Sequence, residues 1–261
     1  MQARIRTVAF YFFFLAFSSI AHAGEQADSL FQYSTINGLL KGFYDGDLNF
    51  SDLSAHGDLG LGTFNHLDGE MVALDGRFYQ VTMDGVASPV KGEQQTPFAV
   101  VTRFDIDQNA DLPIGLNYQG LQQNLDRLIT NRNHFYAFRI PGHFRKMKVR
   151  SVPSQRPPYR PLVEVVKGQA VFEYEDTEGT LIGFYTPDFM QGLNVPGYHF
   201  HFLNKSRTRG GHVLDLQTGP GKIEIDEISE IVMSLPRSPD FATLDIAQDQ
   251  AKALQHVEQK E

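Results

Sequence analysis

The chain has 261 residues, 41% of them hydrophobic and 12% aromatic, which is enough to bury a sizeable core and too apolar for a disordered chain. It has no cysteine, which excludes disulfides and thiolate sites, so any metal must rest on histidine and carboxylate. Its 23 basic and 31 acidic residues give a formal net charge of −8, a sign that argues against nucleic-acid binding and against docking on anionic lipid.

The N-terminus is a separate object. Arg4 and Arg6 form a basic region, residues 8–17 are apolar, and Ala21-His22-Ala23 is a small-residue cleavage site. Together they predict a secretory signal peptide over residues 1–23, export to the periplasm or the medium, and a mature domain over 24–261. No later stretch is long and apolar enough to cross a membrane.

Residues 30–35 predict a short strand, and Thr35 or Asn37 can cap a helix through Leu39, Leu40 and Phe43. Ser51 is placed to cap a further helical turn. The steps Asp68-Gly69 and Asp75-Gly76 punctuate β-rich runs, and Asp-Gly supplies the positive φ that two-residue hairpins need, so a small meander is expected with Glu70 opening its second strand. Residues 96–104 read as a strand. Tyr118, Leu121, Leu125, Leu128 and Ile129 follow helical spacing and predict an amphipathic helix over 118–132. Residues 135–140 return to strand character, Pro141-Gly142 is expected to break it, and 144–152 forms another strand on which Lys146, Lys148 and Arg150 share a face.

The proline-rich segment 151–161 divides the chain into halves of about 24–150 and 160–261. Residues 162–166, 170–174 and 181–185 read as strands, with a turn at 177–179 between the last two. Strand 222–228 and a final helix over 246–257 complete the pattern. Many strands with few, irregularly placed helices indicate an α+β fold with mixed or antiparallel sheets. A faint echo between Gly69-Glu70-Met-Val-Ala-Leu-Asp75 and Gly211-His212-Val-Leu-Asp215 suggests an internally duplicated β-α-β unit.

The chemistry concentrates after residue 196. Tyr198 to Leu203 is aromatic and apolar except at His199 and His201, which alternate onto one face of a strand while Phe200 and Phe202 take the other. A polar, Gly-ended stretch then leads to His212. If the strand returns there, His212 lies opposite His201, and three imidazoles converge from two strands as a catalytic zinc requires.

The runs Gly62-Thr-Phe-Asn-His-Leu-Asp-Gly-Glu-Met71, Gly183-Phe-Tyr-Thr-Pro-Asp-Phe-Met190, Pro196-Gly-Tyr-His-Phe-His201 and Arg209-Gly-Gly-His-Val-Leu-Asp215 resemble α-acetolactate decarboxylase, and the resemblance extends from about Leu30 to Glu258. It implies a Zn2+ enzyme that converts 2-acetolactate to acetoin and CO2 on a duplicated α+β fold, assembled as a homodimer. It places the zinc ligands at His199, His201 and His212, an active-site glutamate at Glu70, an arginine at Arg150 and a metal-approaching C-terminal glutamate at Glu258. Arg145 and Glu261 are near competitors for the last two. The implied chemistry sends the electrons left by CO2 into the ketone oxygen as an enediolate, a charge that a Lewis acid favours. Arg150 then holds the carboxylate, Glu70 is the favoured proton donor, and Glu258 is a mobile lid and metal contact. A cupin-like metal oxygenase, an exported non-catalytic binder of zinc or a small acid, and a zinc hydrolase are the alternatives. Against the cupin reading, Lys205 and Ser206 stand where that motif wants a glutamate.

Overall fold

The structure is a computed structural model that describes residues 28–258; the expected signal peptide lies outside the described residues. In chain order the elements are β1 (Ser29–Tyr33), α1 (Ile36–Leu40), β2 (Leu48–Asn49), α2 (Phe50–Leu53), β3 (Leu59–Thr63), β4 (Glu70–Leu74), β5 (Arg77–Val81), β6 (Ala87–Pro89), β7 (Gln95–Thr96), β8 (Ala99–Thr102), β9 (Gln108–Leu112) and α3 (Tyr118–Leu125). They continue with β10 (Phe135–Ser151), α4 (Leu162–Val165), β11 (Ala170–Thr186), β12 (Gly197–Asn204), β13 (Gly210–Ile228), β14 (Glu230–Ser234), α5 (Pro239–Thr243) and α6 (Ala251–Glu258).

Two large sheets dominate. A seven-stranded mixed sheet runs β14-β1-β8-β3-β4-β5-β6, with β1 parallel to β14 and the other pairs antiparallel. A five-stranded antiparallel sheet runs β10-β11-β12-β13-β9, with β10 also paired to β13. The sheets do not follow the two halves of the chain: β14 joins strands of the first half, and β9 and β10 join strands of the second.

Strand alternation explains the layers. Leu30, Leu59, Leu61, Val72 and Leu74 of the first sheet and Ile182, Phe184 and Leu203 of the second share one buried cluster between the sheets. The opposite face of the second sheet carries Leu181, Tyr185, Phe200 and Phe202 onto Leu121 and Leu125 of α3. The opposite face of the first sheet, with Phe31, Met71 and Ala73, packs on Phe50 and Leu53 of α2. Glu70 shares its face with Val72 and Leu74, so the same alternation aims its carboxylate at the second sheet.

Thr35 caps α1 through its side chain, and Asp75 and Gly76, at φ 53° and 71°, make the tight β4–β5 turn, both as expected. The β3–β4 connection is longer than a two-residue hairpin: it contains a 3-10 turn, Asn65–Leu67, before Gly69. The cap of α2 is Asn49, whose side chain accepts from Asp52 N, rather than Ser51. Pro97 splits the expected 96–104 strand into β7 and β8.

Several boundaries differ more. The helix expected over 118–132 ends at Leu125, although Ile129 stays buried. Pro141-Gly142 does not break β10. Proline has no N–H to give, and Pro141 sits where the ladder to β13 skips from Arg139 to Gly142. Residues 177–179 are likewise no turn, because β11 pairs with the whole length of β10. The run 162–166 is helical, not extended: Leu162, Val165 and Val166 recur at i, i+3 and i+4 and are all buried.

Candidate metal centre and active site

The hairpin between β12 and β13 pairs His201 with His212 directly. His199, two residues earlier on β12, faces the same way. The three ring centroids lie 5.1, 4.9 and 5.4 Å apart, and one ligand nitrogen from each ring falls within 4.8 Å of the others. Gly211 makes this approach feasible: its φ of 141° suits glycine, and a Cβ there would stand 2.4 Å from Arg150 O. The glycine therefore lets β13 close onto β10 one residue before His212, which pairs with Arg150.

The rings are held as neutral imidazoles. Burial lowers the pKa of His199 to about 3, with the Arg150 charge adding to the effect. Burial also holds His201 and His212 well below the usual histidine range. His201 Nδ1 donates to Met71 O at 2.7 Å, which fixes its tautomer and leaves Nε2 as a lone-pair donor. His199 Nε2 and His212 Nδ1 approach to 3.0 Å, close to the roughly 3.3 Å that separates two nitrogens sharing a tetrahedral zinc. Three neutral, converging nitrogens with a carbonyl behind one of them fit a catalytic divalent metal.

Three charged side chains complete the cavity. Glu70 Oε2 lies 3.7 Å from His201 Nε2. Glu258 Oε2 lies 3.6 Å from His212 Nε2 and 3.9 Å from His199 Nε2. Arg150 is 5% exposed; its Nη1 donates to Val257 O at 2.5 Å and to Gln169 Oε1 at 3.2 Å, while its buried Nε has no partner among the described residues. Burial pushes the Glu70 carboxyl up to about 7, with Arg150 opposing the rise and Glu258 adding to it. Burial also raises Glu258. Ile36, Leu39, Leu67, Phe98 and Val152 supply apolar wall.

All six expected site residues therefore meet at one cavity. The competitor Arg145 is exposed on β10, and Glu261 lies outside the described residues. The basic face of β10 splits. Lys146 and Lys148 pair with Glu173 toward solvent, whereas Arg150, on the same face at the end of the strand, is buried at the cavity. Sequence reasoning missed Gln169, which reaches Arg150 only because β11 opens beside the end of β10. It also missed Thr63, which lines the cavity and pairs with Glu70. The Thr63–Glu70 pairing follows from the meander and was the available signal.

The chain matches the family model for alpha-acetolactate decarboxylase over residues 30–248. It is 48% identical to the alpha-acetolactate decarboxylase of Methanosarcina mazei, covering 90% of this chain and 82% of that protein. It is 47% identical to the one from Methylococcus capsulatus, covering 90% of each. The crystal structure of alpha-acetolactate decarboxylase from Bacillus subtilis strain 168 superposes with a TM-score of 0.87 at 36% identity, over 89% of this chain and all (100%) of that one. A match of this extent, across the strands that carry Glu70, Arg150 and the three histidines, makes this chain a member of the α-acetolactate decarboxylase family, a family of carboxy-lyases.

Proposed function

We propose that this protein decarboxylates 2-acetolactate to acetoin and CO2 with Zn2+ held by His199, His201 and His212. The observation that carries the reading is the buried convergence of three neutral imidazoles with Glu70, Arg150 and Glu258, in a chain of this family. When bound, the ion supplies Lewis acidity toward the ketone and hydroxyl oxygens of the substrate.

The protein's own groups account for the rest. Arg150 Nε, buried and without a partner among the described residues, is a donor left for the substrate carboxylate, and the planar guanidinium suits it. Its Nη1 bonds to Gln169 and Val257 fix the plane of that fork. As CO2 leaves, the electron pair moves toward the ketone oxygen and the substrate becomes an enediolate. Glu70, held on a rigid strand and raised to about 7, keeps a proton near neutrality and delivers it to the enediolate carbon. The apolar walls around Leu39, Leu67 and Phe98 hold the methyl groups and exclude water.

The test is direct. Purified protein given 2-acetolactate should release CO2 and acetoin in equal amounts and lose both on chelation, and metal analysis should find one zinc per chain. Absence of acetoin, or full turnover without metal, overturns the reading.

Export after cleavage near Ala23 is part of the proposal, and so is a homodimer. The charge and apolar pattern of residues 1–23 supports the first. For the second, β14 is an edge strand with Ile231 and Val232 exposed, a surface that association would cover. N-terminal sequencing of the exported protein and light scattering of the purified one check these two points. No helix among the described residues is long and apolar enough to cross a membrane.

A further inference from the structure

Glu258 reaches the histidines from the end of α6, and α6 is joined to the body by residues 244–250, none of which is buried. A cleft lined by Gln191, Gly192 and residues 247–251 separates this strap from the protein, with Asn37 also lining it. Asn37 spans the gap. Its Nδ2 donates to Ile246 O at 2.9 Å and to Gln248 O at 3.2 Å, from a side chain that is itself buried. Two further bonds to the strap are exposed: Lys41 Nζ to Gln248 Oε1 at 2.9 Å, and Gln191 Nε2 to Asp249 Oδ1 at 3.3 Å. At the far end Leu254 and Val257 are buried, and Arg150 holds Val257 O. The tail is thus pinned at two points, and Asn37 is the pin remote from the cavity.

We propose that Asn37 is a positioning residue for the reaction: its carboxamide latches the strap through two backbone carbonyls and so sets where α6 presents Glu258 to the histidines. An amide is suited to this, since its two N–H groups can serve two carbonyls of an extended segment, which an aspartate of the same shape cannot do. This role rests on the reading that Glu258 serves the reaction.

The test compares Asn37→Asp, Glu258→Gln and the double variant in the full-length, zinc-loaded protein. Asn37→Asp should keep its zinc and melt within about 4 °C of the parent. It should lower kcat by about ten- to a hundredfold, the scale of a small misplacement of a working group. Amide exchange should accelerate over 244–258 and nowhere else. The double variant should be no slower than the slower single variant, because both changes act through one carboxylate. If Asn37→Asp unfolds α1, Asn37→Ser, smaller and uncharged, makes the same measurements. Parental turnover and tail exchange in the Asn37 variant, with Glu258→Gln impaired, overturn the latch and leave the role of Glu258 standing. Multiplying effects in the double variant also overturn it. Parental turnover in Glu258→Gln overturns the role of Glu258 itself and the positioning role with it.

Discussion

Two buried carboxylates in this protein are pushed to about the same value by burial, in quite different surroundings. Glu70 opens β4 and Asp226 lies near the end of β13; they are 6% and 1% exposed, and burial pushes each up to about 7. Around Glu70 stand His201, Arg150 and Glu258, at a cavity. Around Asp226 stand the carboxylates of Asp28, Asp105 and Asp107, with the Asp105 N–H donating to Oδ2 and Oδ1 without a partner among the described residues. The contrast shows that a raised carboxyl does not by itself mark an active site. What separates the two is what else converges: a cation, lone-pair donors and space for a substrate at one, a cluster of carboxylates at the other.

The largest expected effect comes from removing the ion's seat without touching either carboxylate. His199→Ala should lose bound zinc and slow acetoin formation by about a thousandfold or more, because the proposed mechanism draws several kcal/mol of barrier lowering from the Lewis acid. Metal analysis and a turnover assay check it, and a variant that keeps both places His199 outside the site. Next is the carboxylate itself. Glu70→Gln should keep zinc and lose about 100- to 1000-fold in kcat, the usual worth of a placed proton donor. An unchanged kcat removes Glu70 from proton delivery. Arg150→Lys keeps the charge beside Glu70 but not the planar fork. It should raise KM by about tenfold, one charge-assisted hydrogen bond's worth, and an unchanged KM would show that charge alone suffices.

The same contrast explains how much was legible beforehand. The histidine trio could be read because it needs only local rules: alternation puts His199 and His201 on one face, and a short hairpin sets His212 opposite. Thr35 as a cap and Asp75-Gly76 as a turn are equally local. Local reasoning failed where a neighbour decides. Pro141-Gly142 and residues 177–179 carry turn chemistry, yet β10 and β11 run straight through them because each is the other's pairing partner. The run 162–166 is short and almost wholly apolar, so the helical recurrence of Leu162, Val165 and Val166 stands out only once their burial is known. The roles of Glu70, Arg150 and Glu258 came from family resemblance, because the strands and tail that unite them lie far apart in the chain. Asp226 gave no signal, since its environment is assembled from the loop after β8 and the segment before β1.

The smallest effect is also the one with the opposite sign. Asp226 has an ordinary value of 3.8 and is pushed up to about 7 in the folded chain, so the fold favours its protonated form. Its contribution to stability is fully present below the unfolded value, declines as pH climbs above it, and is gone once pH passes the folded value. Asp226→Asn replaces the carboxylate by a group that needs no proton to stay neutral, and its N–H can serve the surrounding carboxylates while its oxygen still accepts from Asp105 N. The variant should therefore melt higher than the parent by about 3 °C or more at pH 8, and the gain should shrink toward zero at pH 4. Turnover and zinc content should match the parent, whereas Glu70→Gln should lose most turnover at unchanged zinc. Paired thermal melts across that range decide it: a gain that is equal at both ends, or larger in acid, would mean that Asp226 is ionised in the fold at neutrality and that its surroundings hold a charge rather than a proton.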